Sequence, residues 1–388
     1  MSREGTTRHL PGVAVVGTGM IGAVHVRAAR AAGARLLGVL ASSPERTKRA
    51  AQWFDAPTAY ADFDAVLADD KVAVVHLCTP NALHADQAEA ALRAGKQVIC
   101  EKPLATSAAD AERIARTAHT VGRIVAVPFV YRYHPLVREI RARREAGEFG
   151  DWHLLHGSYL QDWLLSEQTD NWRTDPVTGG ASRAFADIGS HWCDLVEWAA
   201  GVRFTDLTAR LDTVVDRPRA DGTSPTETTG AASATEDVAT VLLRTTEGVP
   251  ASLTVSQVSA GRKNRLWFEL DGSRASAAFD QEQPETAWLG DPAGARVLVR
   301  DPGRGSPEQR RLSVLPAGHP QGYGDCFTAF VSDAYAAMRG EQTDGLPVAE
   351  DGVRSARLVD AVLRSAHTLS WTGVQPNDMN PKKEYRAP

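Results

Sequence analysis

A glycine-rich turn close to the N-terminus constrains the fold more than any other stretch of the chain. Residues 13–16 form an apolar run, Gly17-Thr18-Gly19-Met20-Ile21-Gly22 follows, and residues 23–29 are rich in helix-forming side chains. Gly17 is expected to make a tight turn, Gly19 to let a pyrophosphate lie against the backbone, and Gly22 to let the helix pack on the strand. Free N–H groups at the start of such a helix bind phosphate. The stretch therefore predicts a dinucleotide site that includes Gly17, Gly19, Met20, Ile21 and Gly22.

Strand-like and helix-like segments alternate after this turn. Residues 35–40, 72–78, 97–100 and 124–127 have strand patterns, and helical patterns cover residues 45–54, 84–94 and 108–121. This alternation is typical of a parallel sheet with right-handed crossovers, in which ligands bind at the carboxyl ends of the strands. We therefore predict an α/β protein in which residues 10–128 form a Rossmann domain.

Polar residues follow several of these strands and are candidates for contacting the cofactor. The second strand is followed by Ser42, Ser43 and Arg46, whereas this fold usually carries an acid there for the adenosine ribose hydroxyls. The residues therefore predict NAD as the cofactor and leave NADP open. The other predicted contacts at strand ends are Thr79, Pro80, Asn81, His84, Glu101 and Lys102.

Charge and cysteine content exclude several classes of protein. The net charge is −5 and no basic block is present, so we expect no nucleic-acid or membrane partner. Residues 1–11 lack the apolar segment of a signal peptide. The cysteines are Cys78, Cys100, Cys193 and Cys326, and none forms a CxxC pair. We therefore expect a cytoplasmic protein with reduced thiols and no metal site.

The composition changes near residue 150, and the 388 residues are enough for about two domains. We expect helices early in this second part, then strands at residues 238–244, 251–256 and 266–270, which suggest an antiparallel sheet. Helical patterns cover residues 326–338 and 350–369, and residues 217–236 and 291–311 have the composition of long exposed loops. We predict a substrate-binding domain over residues 129–375 and a polar tail over residues 376–388.

A second motif contains a histidine between two carboxylates. At helical spacing His191, Asp194 and Trp198 share one face, and Asp187 lies one turn before His191. Ser190 or Asp187 is expected to cap a helix that ends at Gly201. A carboxylate orients an imidazole and stabilises its cation, which suits a general base. The motif taken alone is also compatible with a structural histidine.

Together, these motifs resemble the glucose–fructose oxidoreductase, inositol dehydrogenase and rhizopine catabolism (Gfo/Idh/MocA) family. The resemblance covers residues 10–375 and includes Thr79-Pro80-Asn81 and Glu101-Lys102-Pro103. It implies a C-terminal α/β domain with a large, mostly antiparallel open sheet, through which dimers or tetramers form. It also implies oxidation or reduction of a carbinol on a sugar or related polyol.

The resemblance assigns roles to individual residues. Lys102 is expected to touch the reacting hydroxyl and the nicotinamide ribose, and its bond to Pro103 to be cis. His191 is expected to be the catalytic base, Asp187 its carboxylate partner, and Asp194 a ligand of substrate hydroxyls. Arg132, Trp172 and Arg173 complete the expected cofactor contacts.

A narrower resemblance points to the levoglucosan dehydrogenase and glycoside 3-dehydrogenase branch. It rests on residues 159–163, 171–173, 179–183 and 319–323, in which aromatic faces and hydrogen-bonding side chains suit a pyranose. A core position for Trp163 and Trp172 stays an alternative. The expected substrate contacts are Lys102, Tyr131, Gln161, Trp163, Arg173, Asp187, His191, Asp194, His319 and Tyr323.

We therefore expect an NAD(P)-dependent dehydrogenase that oxidises a secondary hydroxyl, at C3, of a pyranose, anhydrosugar or glycoside. Inositol dehydrogenation and a glycosidase that works by oxidation and elimination are the alternatives. A regulatory protein that only senses the cofactor is disfavoured, because such a protein has no need of both Lys102 and His191.

Overall fold

The glycine-rich turn joins the first strand and first helix of a six-stranded parallel sheet. The computed structural model describes residues 11–169, 171–217 and 235–374. The strands are β1 Gly12–Val16, β2 Arg35–Leu40, β3 Thr58–Ala59, β4 Val74–Leu77, β5 Gln97–Cys100 and β6 Val125–Ala126. Their order in the sheet is β3-β2-β1-β4-β5-β6. The order reverses between β1 and β4, which is where such sheets bind ligands, so the predicted Rossmann fold is confirmed.

Five helices connect these strands, and their ends follow from the local sequence. They are α1 Met20–Ala31, α2 Pro44–Trp53, α3 Phe63–Ala68, α4 His84–Arg93 and α5 Ala108–Val121. The Ser43 side chain caps α2, and the Ser107 side chain caps α5 by accepting from the backbone N–H of Asp110. Gly122 ends α5 with a positive φ of 63°.

The second sheet is large and mostly antiparallel, as the family resemblance predicts. Its strands are β7 Trp152–Leu160, β8 Phe204–Asp212, β9 Val238–Thr245, β10 Pro250–Ser256, β11 Arg265–Gly272, β12 Ser276–Asp280, β13 Thr286–Asp291, β14 Gly294–Val299 and β15 Thr372–Gly373. Their order is β14-β13-β12-β11-β7-β10-β9-β8-β15. The pairing of β10 with β7 is parallel, and the other described pairings in this sheet are antiparallel.

The helices of this second part are α6 Pro135–Glu145, α7 Pro176–Gly179, α8 Ser190–Ala200, α9 Pro307–Leu312, α10 Tyr323–Met338 and α11 Ala349–Thr368, and a π-helical turn, Phe185–Gly189, leads into α8. Of these, α6, α8 and α11 pack on one face of the second sheet. Alternate residues such as Leu155, Leu253 and Phe268 are buried beneath α8 and its neighbours. The other face of the sheet is open. No helix among the described residues is both long and apolar enough to span a membrane.

Two helices from the end of the chain complete the core of the N-terminal domain. α10 packs on α1, where Phe327 and Phe330 join the apolar cluster of Val26. α11 packs on α5, where Val353 joins the cluster of Ile114. The domain limits 10–128 and 129–375 stay predictions. The apolar core around the parallel sheet nevertheless includes residues of α10 and α11, which lie outside residues 10–128.

Three sequence predictions for the second part need correction. Residues 291–311, predicted as a loop, contain β14 and α9; β14 was missed because it is an exposed edge strand with only three large apolar residues. The second part, expected to begin with helices, also contains β7 near its start, and β7 is the central strand of the sheet. In the predicted loop 217–236, Thr235 and Glu236 are buried rather than exposed, and residues 218–234 lie outside the described part, as does the predicted tail.

Candidate active site

A cleft of about 860 Å³ lies at the carboxyl ends of the parallel strands. Most of the predicted cofactor contacts line it: Gly17, Gly19, Met20, Ile21, Ser42, Arg46, Thr79, Pro80, Asn81, His84, Glu101, Lys102, Trp172 and Arg173. Gly22, Ser43 and Arg132 are not part of its lining. The glycine-rich turn and the ends of β2, β4 and β5 therefore meet at one site, as their places in the fold predict.

The three glycines of the turn differ in the space around them. Gly17 has a φ of +92°, and a side chain there would meet the carbonyl oxygen of Cys78 at 2.3 Å. A Cβ on Gly22 would lie 2.1 Å from the carbonyl oxygen of Gly17. A Cβ on Gly19 would meet nothing within 4 Å. No side chain caps α1 at this end, so Gly19 and the helix start form an open cradle with free N–H groups, which fits a pyrophosphate.

The adenosine end of the cleft is basic. Arg46 donates to Ser42 Oγ at 3.1 Å, and Arg49 and Trp53 line the same wall. The sequence analysis missed Arg49 and Trp53, although their spacing from Arg46 on α2 places all three on one helix face. Glu101 is the only acidic side chain in the described lining of the cleft, and it lies at the end of β5.

Lys102 and Asp187 form the centre of the opposite end. The peptide bond between Lys102 and Pro103 is cis, as predicted. Lys102 Nζ donates to the Asp187 carbonyl oxygen at 2.8 Å and to Asp187 Oδ1 at 2.6 Å. Gln257 Nε2 donates to Asp187 Oδ2 at 2.8 Å, and Arg173 Nε lies 3.7 Å from Oδ1. Although burial opposes ionisation, the charges of Lys102 and Arg173 hold the pKa of Asp187 below its usual range.

His191 lies next to this pair and is buried on α8. Its ring packs edge-on against Tyr131, with centroids 5.0 Å apart. Burial, together with the nearby Lys102 charge, lowers the pKa of His191 well below its ordinary value. Its Nδ1 is buried without a hydrogen-bond partner among the described residues. An orphaned ring nitrogen of this kind is costly unless a ligand satisfies it.

The expected hydrogen bond between Asp187 and His191 is not formed among the described residues. The two carboxylate oxygens of Asp187 are taken by Lys102 and Gln257 instead. The Asp187 charge still raises the pKa of His191, against the larger effect of burial. The predicted capping is also wrong: α8 continues from the π-helical turn, its N-cap is Gly189, and no side chain caps it.

A hydrogen-bonded cluster lies beside the His191 ring. Tyr131 and Tyr159 share a hydrogen bond of 2.6 Å between their hydroxyls. Asn264 Oδ1 accepts from Tyr159 at 2.7 Å and from Gln161 Nε2 at 2.8 Å. Trp163 Nε1 donates to Gln161 Oε1 at 2.8 Å. Burial raises the pKa of Tyr131 to about 12, so its hydroxyl stays neutral.

The remaining predicted substrate contacts differ in their surroundings. The Tyr323 ring lies 6.1 Å from that of Tyr131 and so borders the cluster. His319 is exposed on a loop, and its carbonyl oxygen accepts from Arg300. Asp194 is bound by the Arg132 guanidinium, which also donates to Asp351 at 2.7 Å. The roles given to His319, Asp194 and Arg132 stay predictions.

Several residues at this end were missed by the sequence analysis. Gln257 follows β10, and Asn264 precedes β11. Both are single polar residues at strand ends that belong to no motif, so only the fold brings them to the site.

On the open face of the second sheet, His156, Glu269 and Asp271 each place one potential metal-ligand atom within 4.8 Å of the others. Their spacing along the chain gives no sign of this cluster.

Comparison with known proteins places this geometry in a family. The model of the oxidoreductase family with an NAD-binding Rossmann fold matches residues 12–129, and that of the GFO/IDH/MocA C-terminal domain matches residues 137–278. Levoglucosan dehydrogenase of Pseudarthrobacter phenanthrenivorans is 30% identical over 349 residues, 86% of this chain and 88% of that protein. The chain belongs to the GFO/IDH/MocA family of oxidoreductases.

Two further comparisons also cover most of the chain. The dTDP-3,4-didehydro-2,6-dideoxy-alpha-D-glucose 3-reductase of Streptomyces violaceoruber is 30% identical over 85% of this chain and 87% of its own length. A solved structure of levoglucosan dehydrogenase in complex with NADH and levoglucosan has a TM-score of 0.85 at 27% identity, covering 94% of this chain and 99% of that one. The protein is thus an oxidoreductase that uses NAD.

Proposed function

We propose that the protein oxidises a secondary hydroxyl, at C3, of a pyranose sugar, anhydrosugar or glycoside. One observation carries the proposal: the unpartnered His191 Nδ1 belongs to a ring close to the Lys102–Asp187 pair, and Lys102 lines one end of a dinucleotide cleft. A base and a hydrogen-bond donor are thus available at the same place, and alcohol oxidation needs both groups.

His191 is suited to accept the hydroxyl proton. Its lowered pKa keeps the imidazole neutral at pH 7, so that a ring nitrogen has a free lone pair. When bound, the nicotinamide dinucleotide supplies the hydride acceptor.

Lys102 is suited to stabilise the developing alkoxide. Its ammonium is held at 2.6 Å from Asp187 Oδ1, which fixes its direction, and a third N–H remains for a substrate oxygen. Asp187 therefore acts on the lysine, and Gln257 holds Asp187 from its other side.

The neighbouring cluster supports a polyhydroxylated ring as substrate. Tyr131, Gln161 and Asn264 present hydrogen-bonding groups, and Trp163 adds an aromatic surface of the kind that covers the C–H face of a sugar. Buried polar groups of this kind reject analogues that lack hydroxyls, because the groups are then left unpaired. The similarity to a levoglucosan dehydrogenase and to a sugar 3-reductase agrees with this class.

A substrate panel tests the proposal. Levoglucosan, glucose, an alkyl glucoside and myo-inositol are incubated with NAD+ or NADP+, reduction is followed by absorbance, and the oxidised carbon is assigned by NMR. We expect turnover of a pyranose with a ketone at C3. Turnover of myo-inositol alone would favour inositol dehydrogenation, and release of free sugar from the glucoside without net reduction would favour oxidation and elimination. The absence of any turnover would overturn the proposal.

We further propose that the open face of the second sheet joins copies of this chain into a homodimer or homotetramer. The exposed apolar side chains of that face support this: Leu154, Leu242, Trp288, Val297 and Val299. Trp288 and Val297 are cross-strand neighbours, and exposed apolar clusters of this kind mark interaction surfaces. Sedimentation equilibrium should give a multiple of the 41.7 kDa chain mass, and Trp288→Lys should lower it. A monomer at micromolar concentration would contradict the assembly.

A further inference from the structure

A chain of four buried polar side chains runs from the cleft into the core of the first domain. Glu101 Oε1 lies 3.0 Å from His25 Nε2, His25 Nδ1 lies 2.9 Å from His76 Nδ1, and His76 Nε2 lies 2.8 Å from the hydroxyl of Tyr335. His25 and His76 are 0% exposed, and Tyr335 is 2% exposed. His25 lies on α1, His76 on β4 and Tyr335 on α10, and Glu101 follows β5. The hydrogen-bonded chain therefore links two strands of the parallel sheet to two helices.

The hydrogen-bonding capacities fix the direction of this chain. Among the described residues, the Tyr335 hydroxyl has only His76 Nε2 as an acceptor, so His76 carries its proton on Nδ1 and donates to His25 Nδ1. His25 then carries its proton on Nε2 and donates to Glu101, which accepts as a carboxylate. Every group is satisfied with both imidazoles neutral. A doubly protonated His25 would reverse the rest of the chain and leave the Tyr335 proton with no acceptor among the described residues.

The outcome of this arrangement is an ionised Glu101. Its second oxygen accepts from the backbone N–H of Lys102 at 3.2 Å. The hydrogen bond from His25 and the charge of Lys102 favour the ionised form of Glu101 and lower its pKa, against the opposing effect of burial. The Lys102 ammonium forms its ion pair with Asp187 and not with Glu101. The negative charge of Glu101 in the cleft lining is therefore not neutralised by an ion pair with Lys102.

We propose that His25, His76 and Tyr335 are positioning residues that hold Glu101 as a carboxylate and thereby favour the oxidised, cationic nicotinamide over the reduced, neutral one. The inference rests on the proposed function, which brings the nicotinamide ring beside Lys102. Oxidised nicotinamide carries one positive charge that the reduced ring lacks. A buried carboxylate at this end of the cleft attracts that charge strongly, because little water screens it.

The test measures dissociation constants for NAD+ and NADH by titration calorimetry and compares their ratio among variants. Glu101→Gln and His25→Leu should each weaken NAD+ relative to NADH about tenfold. His25→Gln keeps a donor that can reach Glu101 and should restore most of the ratio. Tyr335→Phe removes only the far end of the chain and should change the ratio about twofold.

Phe327→Leu is the matched control. The Phe327 ring packs on His25 with centroids 4.7 Å apart but donates no hydrogen bond, so this variant disturbs packing without removing the donor. It should leave the ratio unchanged. The ratio is insensitive to partial misfolding, because loss of folded protein lowers binding of both nucleotides equally.

The outcomes separate the inference from the proposed function. If His25→Leu weakens the binding of NAD+ and NADH equally, or changes the binding of neither, the hydrogen-bonded chain has only a structural role. The inference then fails while the proposed function stands. If the unaltered protein binds neither nucleotide, with or without a 2′-phosphate, both fail.

Discussion

The two ends of the cleft are held in place by different parts of the chain. At the dinucleotide end, backbone carries most of the shape: Gly17, Gly19 and the uncapped start of α1 surround the phosphate cradle. At the other end, side chains determine the shape of the site. Asp187 there accepts hydrogen bonds from Lys102 and Gln257, which lie far apart in the sequence. A backbone cradle is sensitive to any added carbon atom, whereas a side-chain network is sensitive to the loss of a single hydrogen-bonding atom.

The largest expected effect is at the side-chain end. His191→Ala removes the proposed base, and loss of a positioned acid–base group costs about a hundred- to ten-thousand-fold in kcat. NADH binding should change little, because His191 is not part of the described cleft lining. Steady-state kinetics and NADH titration measure the two effects. Near-normal turnover in the variant would remove His191 from the mechanism.

The next effect tests whether Gln257 supports the catalytic lysine through Asp187. Gln257→Leu removes a hydrogen bond to a charged group in a buried setting, and kcat should fall about ten- to a hundredfold. Gln257→Glu is a useful partner variant, because it puts a second carboxylate beside Asp187. Its kcat should be no higher than that of Gln257→Leu. Full activity in Gln257→Leu would mean that Lys102 alone fixes Asp187.

A pair of glycine substitutions tests the backbone end. Gly19→Ala places a methyl in open space, so folding stability should hold while the dissociation constant of the dinucleotide rises about tenfold. Gly22→Ala brings a Cβ to 2.1 Å from a backbone oxygen, so it should lower the thermal midpoint of unfolding as well. Thermal unfolding and NADH titration compare the two. Equal loss of stability in both variants would contradict the proposed cradle at Gly19.

The smallest expected effect is the pH dependence of the rate. Protonated His191 has no lone pair for the substrate, and its pKa lies well below 6.5. The rate should therefore be lost only when the pH falls through that lowered pKa, and kcat/KM should be nearly flat from about pH 6.5 upward. Initial rates across the pH range check this. A rate loss centred near pH 6.5 would contradict the buried, neutral imidazole.

The same contrast explains how much the sequence could predict. The glycine-rich turn and the Glu101-Lys102-Pro103 stretch are local patterns, so the first sheet and most of the cofactor contacts were predictable. Gln257 and Asn264 reach the site only because β10 and β11 pair with β7, which lies far earlier in the sequence. Their contacts are correspondingly long-range: Gln257 bonds Asp187 at a separation of 70 residues, and Asn264 bonds Tyr159 at a separation of 105. No local pattern encodes such pairings. Arg49 and Trp53 were accessible from helical spacing but do not belong to a familiar motif.

The return of α10 and α11 to the first domain affects how the chain folds during synthesis. The apolar faces of α1 and α5 are covered by Phe327, Phe330 and Val353, which leave the ribosome some two hundred residues after α5. Until then the nascent N-terminal half carries bare hydrophobic surface. The nucleotide cradle is therefore encoded early but completed late, and chaperone occupancy during translation should persist until α11 has emerged.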